Sequence, residues 1–255
     1  MQLGLNGKIV LVTGGTKSIG LAIVKAFLQE GAIVHFCSRT AADVERTAQD
    51  INTAALGEAH GAVVDVSDAD SIKTWVNTIA EKHDGRIDVL VSNVSALAVP
   101  NTHENWDLTY QTDVKGTYTL IEAALPHLKL TKGNIVSISS VSGRYVDFTA
   151  PGPYGACKAA LLHYISQLGH TLVKDGVRAN SVSPGNIYVE DGFWGKIERE
   201  MEDFFAKVKG DNPTGRLGTP QEVADAVLFL ASERAAFISG ANLLVDGAVS
   251  PAVQF

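Results

Sequence analysis

The feature that most constrains the fold is a regular alternation of two hydrophobic periodicities along the chain. Short β-branched runs, such as Ile9–Val12 and Val89–Val91, are continuously apolar, which is typical of strands covered on both faces. The longer segments between them carry apolar residues at helical spacing, as at Ile19, Ile23 and Phe27. This alternation predicts a doubly wound, mostly parallel α/β sheet with helices on both faces and right-handed crossovers.

The periodicity predicts seven strands in one domain that spans residues 1–255, since no repeat, low-complexity tract or proline-rich linker interrupts the chain. The predicted strands are Lys8–Thr13, Ala32–Cys37, His60–Asp65, Ile87–Ser92, Asn134–Ser139, Arg178–Ser183 and Asn242–Val245. The predicted helices include Ile19–Gln29, one capped by Asp68 that runs through Ile79, and the long helices His103–Leu128 and Tyr154–Lys174. Ligands of such sheets bind beyond the carboxyl ends of the strands.

The charge balance and the cysteine count narrow the functional class. A net charge of −7 disfavours a general nucleic-acid or anionic-membrane surface. The two cysteines, Cys37 and Cys157, lie among apolar or small residues, which favours reduced thiols in a cytoplasmic protein. We expect no signal peptide at Met1–Val12, no membrane span and, from the scattered spacing of the seven histidines, no metal site.

Residues 186–213 interrupt the regular alternation of strands and helices. The segment mixes aromatic side chains with many acidic ones and has apolar groups at helical spacing between glycines. We expect one or two amphipathic helices over the edge of the sheet. Their functional interpretation is a substrate lid, and the alternative is a packed surface excursion.

A glycine-rich turn joins the first predicted strand to the first helix. Glycines at this point allow a tight turn and a close approach of the backbone to a pyrophosphate, and the helix N-terminus supplies free amides. The turn therefore predicts a dinucleotide site. Its candidate cofactor-binding residues are Gly14, Thr16, Lys17, Ser18, Ile19 and Gly20.

The end of the second strand predicts which dinucleotide binds. A carboxylate there would accept hydrogen bonds from the adenosine ribose and repel a 2′-phosphate. The chain has Ser38 and Arg39 instead, with no carboxylate until Asp43, and Lys17 lies within reach in the first turn. Two cations and a hydroxyl favour NADP(H), while the alternative is two cations that simply face solvent.

Tyr154 and Lys158 are four residues apart at the start of a predicted helix, so they share one face. A free phenol has a pKa of about 10, and a nearby ammonium favours the phenolate. The pair is thus a candidate proton-transfer group near neutral pH. A structural start of the helix is the alternative.

Several motifs together resemble the short-chain dehydrogenase/reductase family, in its short single-domain branch. They are the Tyr154–Lys158 pair, the strand ends Ser137–Ser140 and Asn180–Gly185, and the later segments Gly215–Pro220 and Leu244–Gly247. The resemblance covers essentially the whole chain. It implies a seven-stranded Rossmann sheet and a homodimer or homotetramer.

The resemblance also implies residue roles. Tyr154 would exchange a proton with the substrate oxygen while hydride passes to or from the nicotinamide, Ser140 would hydrogen-bond that oxygen, and Lys158 would hold the nicotinamide ribose. Further cofactor contacts would come from Asp65, Val66, Asn93, Pro184, Gly185 and Ile187. Asp65 has a simpler alternative, which is to cap the turn that follows it.

The chain departs from the family pattern at several positions. Ser18 replaces a glycine of the turn, and Ser95 and Val189 replace a usual glycine and threonine. Asp113 stands where asparagine is common, and we expect its carboxylate to hold a water that connects Lys158 to solvent. Substitution of Asp113 by asparagine is then expected to leave the fold intact. The loop between Ser140 and Tyr154 is one residue longer than expected, so Ser139 and Ser142 are further candidates for the serine role.

The leading hypothesis is an NADP(H)-dependent carbonyl reductase or alcohol dehydrogenase. The aromatic residues of segment 186–213 and of the loop Arg144–Phe148 favour a small or medium hydrophobic substrate. Two alternatives keep the same fold. One uses the Tyr–Lys pair for a dehydration, isomerisation or cyclisation, and the other is a non-catalytic NADP-binding regulator.

Overall fold

A computed structural model of the chain describes residues 2–147 and 149–251. Every predicted strand is present, with ends that differ from the prediction by two residues at most. The strands are β1 Ile9–Thr13, β2 Ile33–Ser38, β3 Ala59–Val63, β4 Val89–Ser92, β5 Asn134–Ile138, β6 Arg178–Pro184 and β7 Asn242–Val245.

The strands form one seven-stranded sheet in the order β3-β2-β1-β4-β5-β6-β7, and all of these pairings are parallel. The chain order reverses at β1, which pairs with β2 on one side and with β4 on the other. A crevice forms beyond the carboxyl ends of the strands at such a reversal. The turn that follows β1 therefore lies where a ligand is expected, and the predicted fold is confirmed.

Nine α-helices lie in the described residues. They are α1 Ser18–Gln29, α2 Ala41–Thr53, α3 Ala69–Lys82, α4 His103–Thr109, α5 Gly116–Thr131, α6 Pro153–Thr171, α7 Phe193–Glu200, α8 Glu202–Asp211 and α9 Pro220–Ala231. The predicted cap of α3 is present, because the carboxylate of Asp68 accepts a hydrogen bond from the Asp70 backbone N–H.

The two long predicted helices need correction. The segment predicted as one α-helix over His103–Leu128 contains a π-helical stretch, Tyr110–Lys115, between α4 and α5. A π-helical stretch changes the rotation of the residues that follow it, and such stretches are frequent at functional sites. This one carries the buried Asp113. The prediction for α6 ran to Lys174, but the chain tightens into a 3₁₀ turn at Val173–Asp175.

Each face of the sheet is covered by its own apolar core. On one face, side chains of β1, β2 and β4 pack against α1, α2 and α9, with Phe27 and Phe36 fully buried. On the other face, α3, α5 and α6 contribute Ile72, Ile121 and Ile165. Burial of this kind stabilises by about 25 cal/mol for each Å² of apolar surface removed from water. The runs Ile9–Val12 and Val89–Val91 are continuously apolar because both faces of β1 and β4 are buried.

Segment 186–213 forms two helices, α7 and α8, as its amphipathic spacing predicted. They share a small separate core that includes Trp194, Phe205, Val208 and Leu217. The start of the segment, just after the carboxyl end of β6, is bridged to Gly218 through Ile187.

Within the described ranges, no helix combines the length and the apolar character that a bilayer span requires. In the same residues, no group of three or more histidine, cysteine or acidic side chains is arranged to hold a metal ion.

Candidate active site

A cavity of about 570 Å³ opens at the carboxyl edge of the sheet, between the loops that follow β1, β2, β4, β5 and β6. It gathers most of the site residues that the sequence predicted. Those that line it are Gly14, Thr16, Lys17, Ser18, Ile19, Gly20, Ser38, Arg39, Val66, Asn93, Ser140, Tyr154, Lys158, Pro184, Gly185 and Ile187. Asp65 and Asp113 are the two predicted residues outside the lining.

Two positions of the turn after β1 favour or require glycine. Gly14 has φ +67°, a conformation that favours glycine. A Cβ on Gly20 would lie 2.0 Å from the Gly14 carbonyl oxygen, so only glycine fits. The Asn93 amide holds the turn in place, because it donates hydrogen bonds to the carbonyls of Thr13 and Gly14.

The first turn of α1 directly follows this glycine-rich turn. The helix begins at Ser18 and has no side-chain N-cap, so amides of its first turn are available to an anion. Ser18 adopts φ +51°, a left-handed conformation that glycine adopts at lower cost. The family's glycine is therefore replaced by a serine that keeps the glycine-like backbone and adds a hydroxyl to the cavity wall.

The far end of the cavity, beyond β2, carries both signs of charge. Lys17, Ser38 and Arg39 are present as predicted, and Asp43 lies beside them in the lining. Lys17 Nζ lies 2.7 Å from the Asp43 carboxylate, and Arg46 pairs with the same carboxylate. The hydrogen bond from Lys17 is the main cause that lowers the pKa of Asp43. The sequence showed Asp43 only as the first carboxylate after β2 and did not place it at the site, because only the fold returns the first turn of α2 to the cavity.

Asp65 performs the simpler of its two predicted roles. Its carboxylate accepts hydrogen bonds from both the backbone N–H and the hydroxyl of Ser67, and the backbone hydrogen bond is the main cause that lowers its pKa. Its neighbours Val64 and Val66 line the cavity, whereas Asp65 does not. The adenine contact of Asp65 stays a prediction.

Tyr154 and Lys158 lie in the first turns of α6, one turn apart on the same face. Tyr154 is half-buried in the cavity wall, while the Lys158 side chain is 2% exposed. Lys158 Nζ lies 5.7 Å from the centre of the Tyr154 ring and donates a hydrogen bond of 3.3 Å to the Ile138 carbonyl. The ammonium is therefore held between the phenol and the end of β5.

Asp113 faces Lys158 from the π-helical stretch, as the sequence predicted. Its carboxylate is fully buried and lies 3.2 Å from Lys158 Nζ. It also accepts hydrogen bonds from the Ser95 hydroxyl at 2.6 Å and from the Ala96 backbone N–H at 2.8 Å. The two departures from the family pattern, Asp113 and Ser95, are thus bonded to each other. The water that Asp113 was expected to hold stays a prediction.

The three candidate serines differ in what their hydroxyls do. Ser139 donates to the Lys158 carbonyl, so its hydroxyl is tied to the backbone of α6. Ser140 accepts from the Ser142 backbone N–H and donates to the Ser142 hydroxyl, at 3.1 Å in each case. Ser142 in turn donates to Asp147 at 2.8 Å. Ser140 and Ser142 are therefore the serines whose hydroxyl network faces the cavity.

The loop between Ser140 and Tyr154 contributes polar groups to the lining. Asp147 and Thr149 line the cavity, while Arg144, Tyr145 and Val146 do not. Phe148, which belonged to the predicted aromatic loop, lies outside the described residues. The apolar part of the wall comes from elsewhere, namely from Leu97, Val99, Val189, Phe193 and Trp194.

Neither cysteine is arranged as a nucleophile. Cys37 and Cys157 are buried free thiols, as predicted. Burial raises the pKa of Cys37 to about 12 and is also the main cause that raises the pKa of Cys157. Both side chains remain protonated thiols at neutral pH, which leaves the proton chemistry of the cavity to the tyrosine and its neighbours.

The family model described as enoyl-(acyl carrier protein) reductase matches residues 14–250. The matched region includes the glycine-rich turn, the Tyr154–Lys158 pair and segment 186–213.

Individual relatives match over nearly the full length. Isoepoxydon dehydrogenase patN from Penicillium expansum is 39% identical over 261 residues, which cover 100% of this chain and 99% of the relative. L-fucose dehydrogenase from Mus musculus is 35% identical and covers 95% of this chain and 88% of its own length. Among solved structures, the active-site complex of RhlG from Pseudomonas aeruginosa with NADP superposes with a TM-score of 0.88 at 26% identity, over 97% of this chain and 98% of that one.

Proposed function

The chain belongs to the short-chain dehydrogenase/reductase family, and from this membership we propose that it is an NADP(H)-dependent oxidoreductase that interconverts a ketone or aldehyde with an alcohol. The observation that carries the proposal is that one cavity is lined by Tyr154, Lys158 and Ser140 together with the glycine-rich turn. The relatives isoepoxydon dehydrogenase and L-fucose dehydrogenase bear names of the same reaction type.

The cavity residues fit a bound dinucleotide. The amides at the start of α1 and the glycine-rich turn that lines the cavity suit a pyrophosphate. NADP(H), when bound, supplies or accepts the hydride. Lys17 and Arg39 line this end of the cavity together with Asp43, whose carboxylate pairs with Lys17 and with Arg46. Two lining cations against one carboxylate that is already paired favour the 2′-phosphate of NADP(H). The solved complex of RhlG with NADP supports the same assignment.

In the proposed reaction, Tyr154 donates a proton to the carbonyl oxygen during reduction and removes it from the alcohol during oxidation. Lys158, fixed by Asp113 and the Ile138 carbonyl, keeps a positive charge beside the phenol. Ser140 turns its hydroxyl from Ser142 to the substrate oxygen. The buried position of Lys158 keeps its charge from being screened by water.

The substrate is a small molecule, since a cavity of about 570 Å³ must hold it together with part of the cofactor. Leu97, Val99, Phe193 and Trp194 offer an apolar wall for its carbon frame. Because Phe193 and Trp194 begin α7, we propose that segment 186–213 is the lid of the site. We propose further that the enzyme works in the cytoplasm as a homodimer or homotetramer.

The test is Tyr154→Phe, which removes only the phenolic hydroxyl. NADPH oxidation is followed over a panel of cyclic, aromatic and β-keto carbonyl compounds. The variant is expected to lose about 10²- to 10⁴-fold in kcat, because the proton donor is gone, while it binds NADPH as the wild type does. Tyr145→Phe is the matched control, because Tyr145 lies outside the cavity lining and its buried hydroxyl makes no hydrogen bond within the described residues.

The outcome separates the alternatives from the proposal. NADPH binding by the wild type without oxidation of any carbonyl, or equal rates in wild type and Tyr154→Phe, would contradict the proposed reaction. Such a result would favour the non-redox use of the Tyr–Lys pair or the NADP-binding regulator.

A further inference from the structure

We propose that Asp147 is a substrate-recognition residue that accepts a hydrogen bond from a hydroxyl group on the substrate, so that the enzyme prefers hydroxylated carbonyl compounds to purely apolar ones. The inference rests on the proposed reductase function and specifies its substrate class. It concerns the wall of the cavity formed by the loop between β5 and α6.

The carboxylate of Asp147 is fixed by its own loop. One oxygen, Oδ1, accepts from the Thr149 backbone N–H at 2.9 Å and from the Thr149 hydroxyl at 2.6 Å. The other oxygen, Oδ2, accepts from the Ser142 hydroxyl at 2.8 Å. Asp147, Ser142 and Thr149 all line the cavity. A half-buried carboxylate is thereby held with a defined orientation in the wall of the site.

The described contacts leave room for a further donor. An ionised carboxylate accepts about four hydrogen bonds, and the described residues supply three to Asp147, with two of them on Oδ1. Among the described contacts, Oδ2 therefore has one lone pair without a donor. A neutral hydroxyl can fill it with a charge-assisted hydrogen bond, which is stronger than a bond between two neutral groups.

Two serine hydroxyl groups connect the Asp147 carboxylate to the reacting end of the cavity. Ser140 donates to Ser142, and Ser142 donates to Asp147. When Ser140 turns to the substrate oxygen, the Ser142 hydroxyl and the Asp147 carboxylate remain next to it as a polar strip. A substrate that places its carbonyl at Ser140 and Tyr154 thus presents a nearby part of its frame to Asp147.

The same strip selects against apolar substrates. A ligand without a donor would cover the carboxylate and remove it from water without a replacement hydrogen bond, and such a loss is costly for a charged group. Sites with buried polar groups therefore discriminate strongly against analogues that lack the matching hydroxyl. The apolar wall at Leu97, Phe193 and Trp194 contacts the rest of the frame, so an amphipathic, hydroxylated ring or chain fits both sides.

The experiment compares cyclohexanone with 2-, 3- and 4-hydroxycyclohexanone as NADPH-dependent substrates. The wild type is expected to prefer at least one hydroxylated ketone by about 10- to 100-fold in kcat/KM, which is the range of one charge-assisted hydrogen bond. Asp147→Ala is expected to remove that preference, so that kcat/KM falls more on the hydroxylated ketones than on cyclohexanone. Asp50→Ala is the control, because it removes a carboxylate from an exposed position outside both the cavity lining and segment 186–213.

Loss of activity by the same factor on all four ketones in Asp147→Ala would mean that Asp147 acts only through Ser142 and Ser140, and would overturn the proposal. A wild type that does not distinguish the four ketones would overturn it as well. Binding of 1,4-cyclohexanediol and cyclohexanol to the NADP⁺-loaded protein, measured by calorimetry, separates this inference from the reductase function. Diol-selective binding that Asp147→Ala abolishes supports the recognition role even without turnover, and equal binding of both alcohols contradicts it.

Discussion

At the scale of single residues, the central feature of the site is the buried ion pair between Lys158 and Asp113. Both side chains are buried, at 2% and 0% exposure, and their charged groups lie 3.2 Å apart. A buried ion pair offsets its loss of water through the mutual attraction and through further hydrogen bonds, which Ser95, Ala96 and Ile138 supply here. Burial of each charged group is therefore offset only while the other group is present.

This dependence changes what the sequence predicted for Asp113→Asn. Removal of one charge from a buried pair leaves the other uncompensated, so the variant is expected to lose about 3 kcal/mol of the free energy of unfolding. Lys158→Met should lose a similar amount, and the double variant should recover part of both losses because no unpaired charge remains. Urea unfolding of the four proteins without cofactor measures this coupling. Additive losses in the double variant would contradict it.

The same variant also carries a prediction for catalysis. The Asp113 carboxylate offsets part of the positive charge that Lys158 presents to Tyr154. In Asp113→Asn the ammonium acts on the phenol without that offset, so alcohol oxidation, in which Tyr154 is the base, should extend to lower pH. The pH profile of kcat for oxidation, measured with saturating NADP⁺, tests this. A shift to higher pH or an unchanged profile would refute the role of Asp113 in the proton chemistry.

Arg39 carries the prediction on cofactor choice. Arg39→Asp places a carboxylate where the 2′-phosphate is expected, and that carboxylate repels the phosphate but can accept from a free ribose. The variant should bind NADPH at least about 10-fold more weakly while NADH binding improves relative to it. Fluorescence titration with both cofactors measures the ratio. Arg234→Asp, the same charge change outside the cavity lining, should leave the ratio unchanged, and equal affinity of the wild type for both cofactors would refute the NADP(H) assignment.

At the scale of elements, the pairing of the edge strand β3 with β2 brings together three histidines that are distant in the sequence. His35 of β2 and His60 of β3 are partners in the strand register and stack with ring centres 4.7 Å apart. His83 directly follows the last residue of α3, and its Nε2 atom lies 2.8 Å from Nε2 of His35. Burial, followed by the charges of His60, His83 and Lys82, lowers the pKa of His35 to about 3.

This lowered pKa predicts acid sensitivity. The unfolded chain binds a proton at His35 near pH 6.5, whereas the folded protein does so only near pH 3, so the contribution of His35 to stability is complete above pH 6.5 and is lost as the pH falls toward 3. The free energy of unfolding should fall by up to about 1.4 kcal/mol per pH unit in that window. Denaturant unfolding at several pH values tests this. His35→Gln should flatten the slope, the exposed control His163→Gln should not, and a wild-type stability that is level from pH 6.5 to 4 would disprove it.

At the scale of the whole molecule, the surface of α4, the π-helical stretch and α5 is unusually apolar. Trp106, Leu108, Tyr110 and Tyr118 are each between 42% and 52% exposed. Tyr118 also contacts Tyr164 of α6, with ring centres 6.2 Å apart, so the apolar surface continues onto that helix. A second copy of the chain is the partner that this surface is expected to receive, through symmetric contacts between these helices.

Sedimentation at micromolar concentration is therefore expected to show a dimer or tetramer. Tyr118→Glu should reduce the assembled fraction, because it places a charge in the apolar contact. Phe237→Ser changes another exposed aromatic residue, outside α4, α5 and α6, and serves as the control. A wild type that sediments only as a monomer would contradict the predicted assembly.

What the sequence by itself determined is the part of the structure that depends on local pattern. The alternation of short β-branched runs with helical spacing predicted all seven strands. Several of these runs, such as Ile9–Val12 and Val89–Val91, are continuously apolar because both faces of the strand are buried. The spacing of Tyr154 and Lys158 placed both on one face of α6, since helix geometry brings residues four apart together. The glycines of the first turn predicted its position at the cavity, because their backbone has to approach other groups closely.

Only the tertiary structure decided which distant residues meet. Asp43 reaches the cavity because α2 folds back on β2, Asp147 because its loop is tied to Ser142, and the three histidines because β2 and β3 pair in register. The π-helical turn that aims Asp113 at Lys158 carries no periodicity that distinguishes it from the helix around it. Contacts of this kind depend on strand order, helix packing and the conformation of loops, and none of these is encoded in the spacing of neighbouring residues.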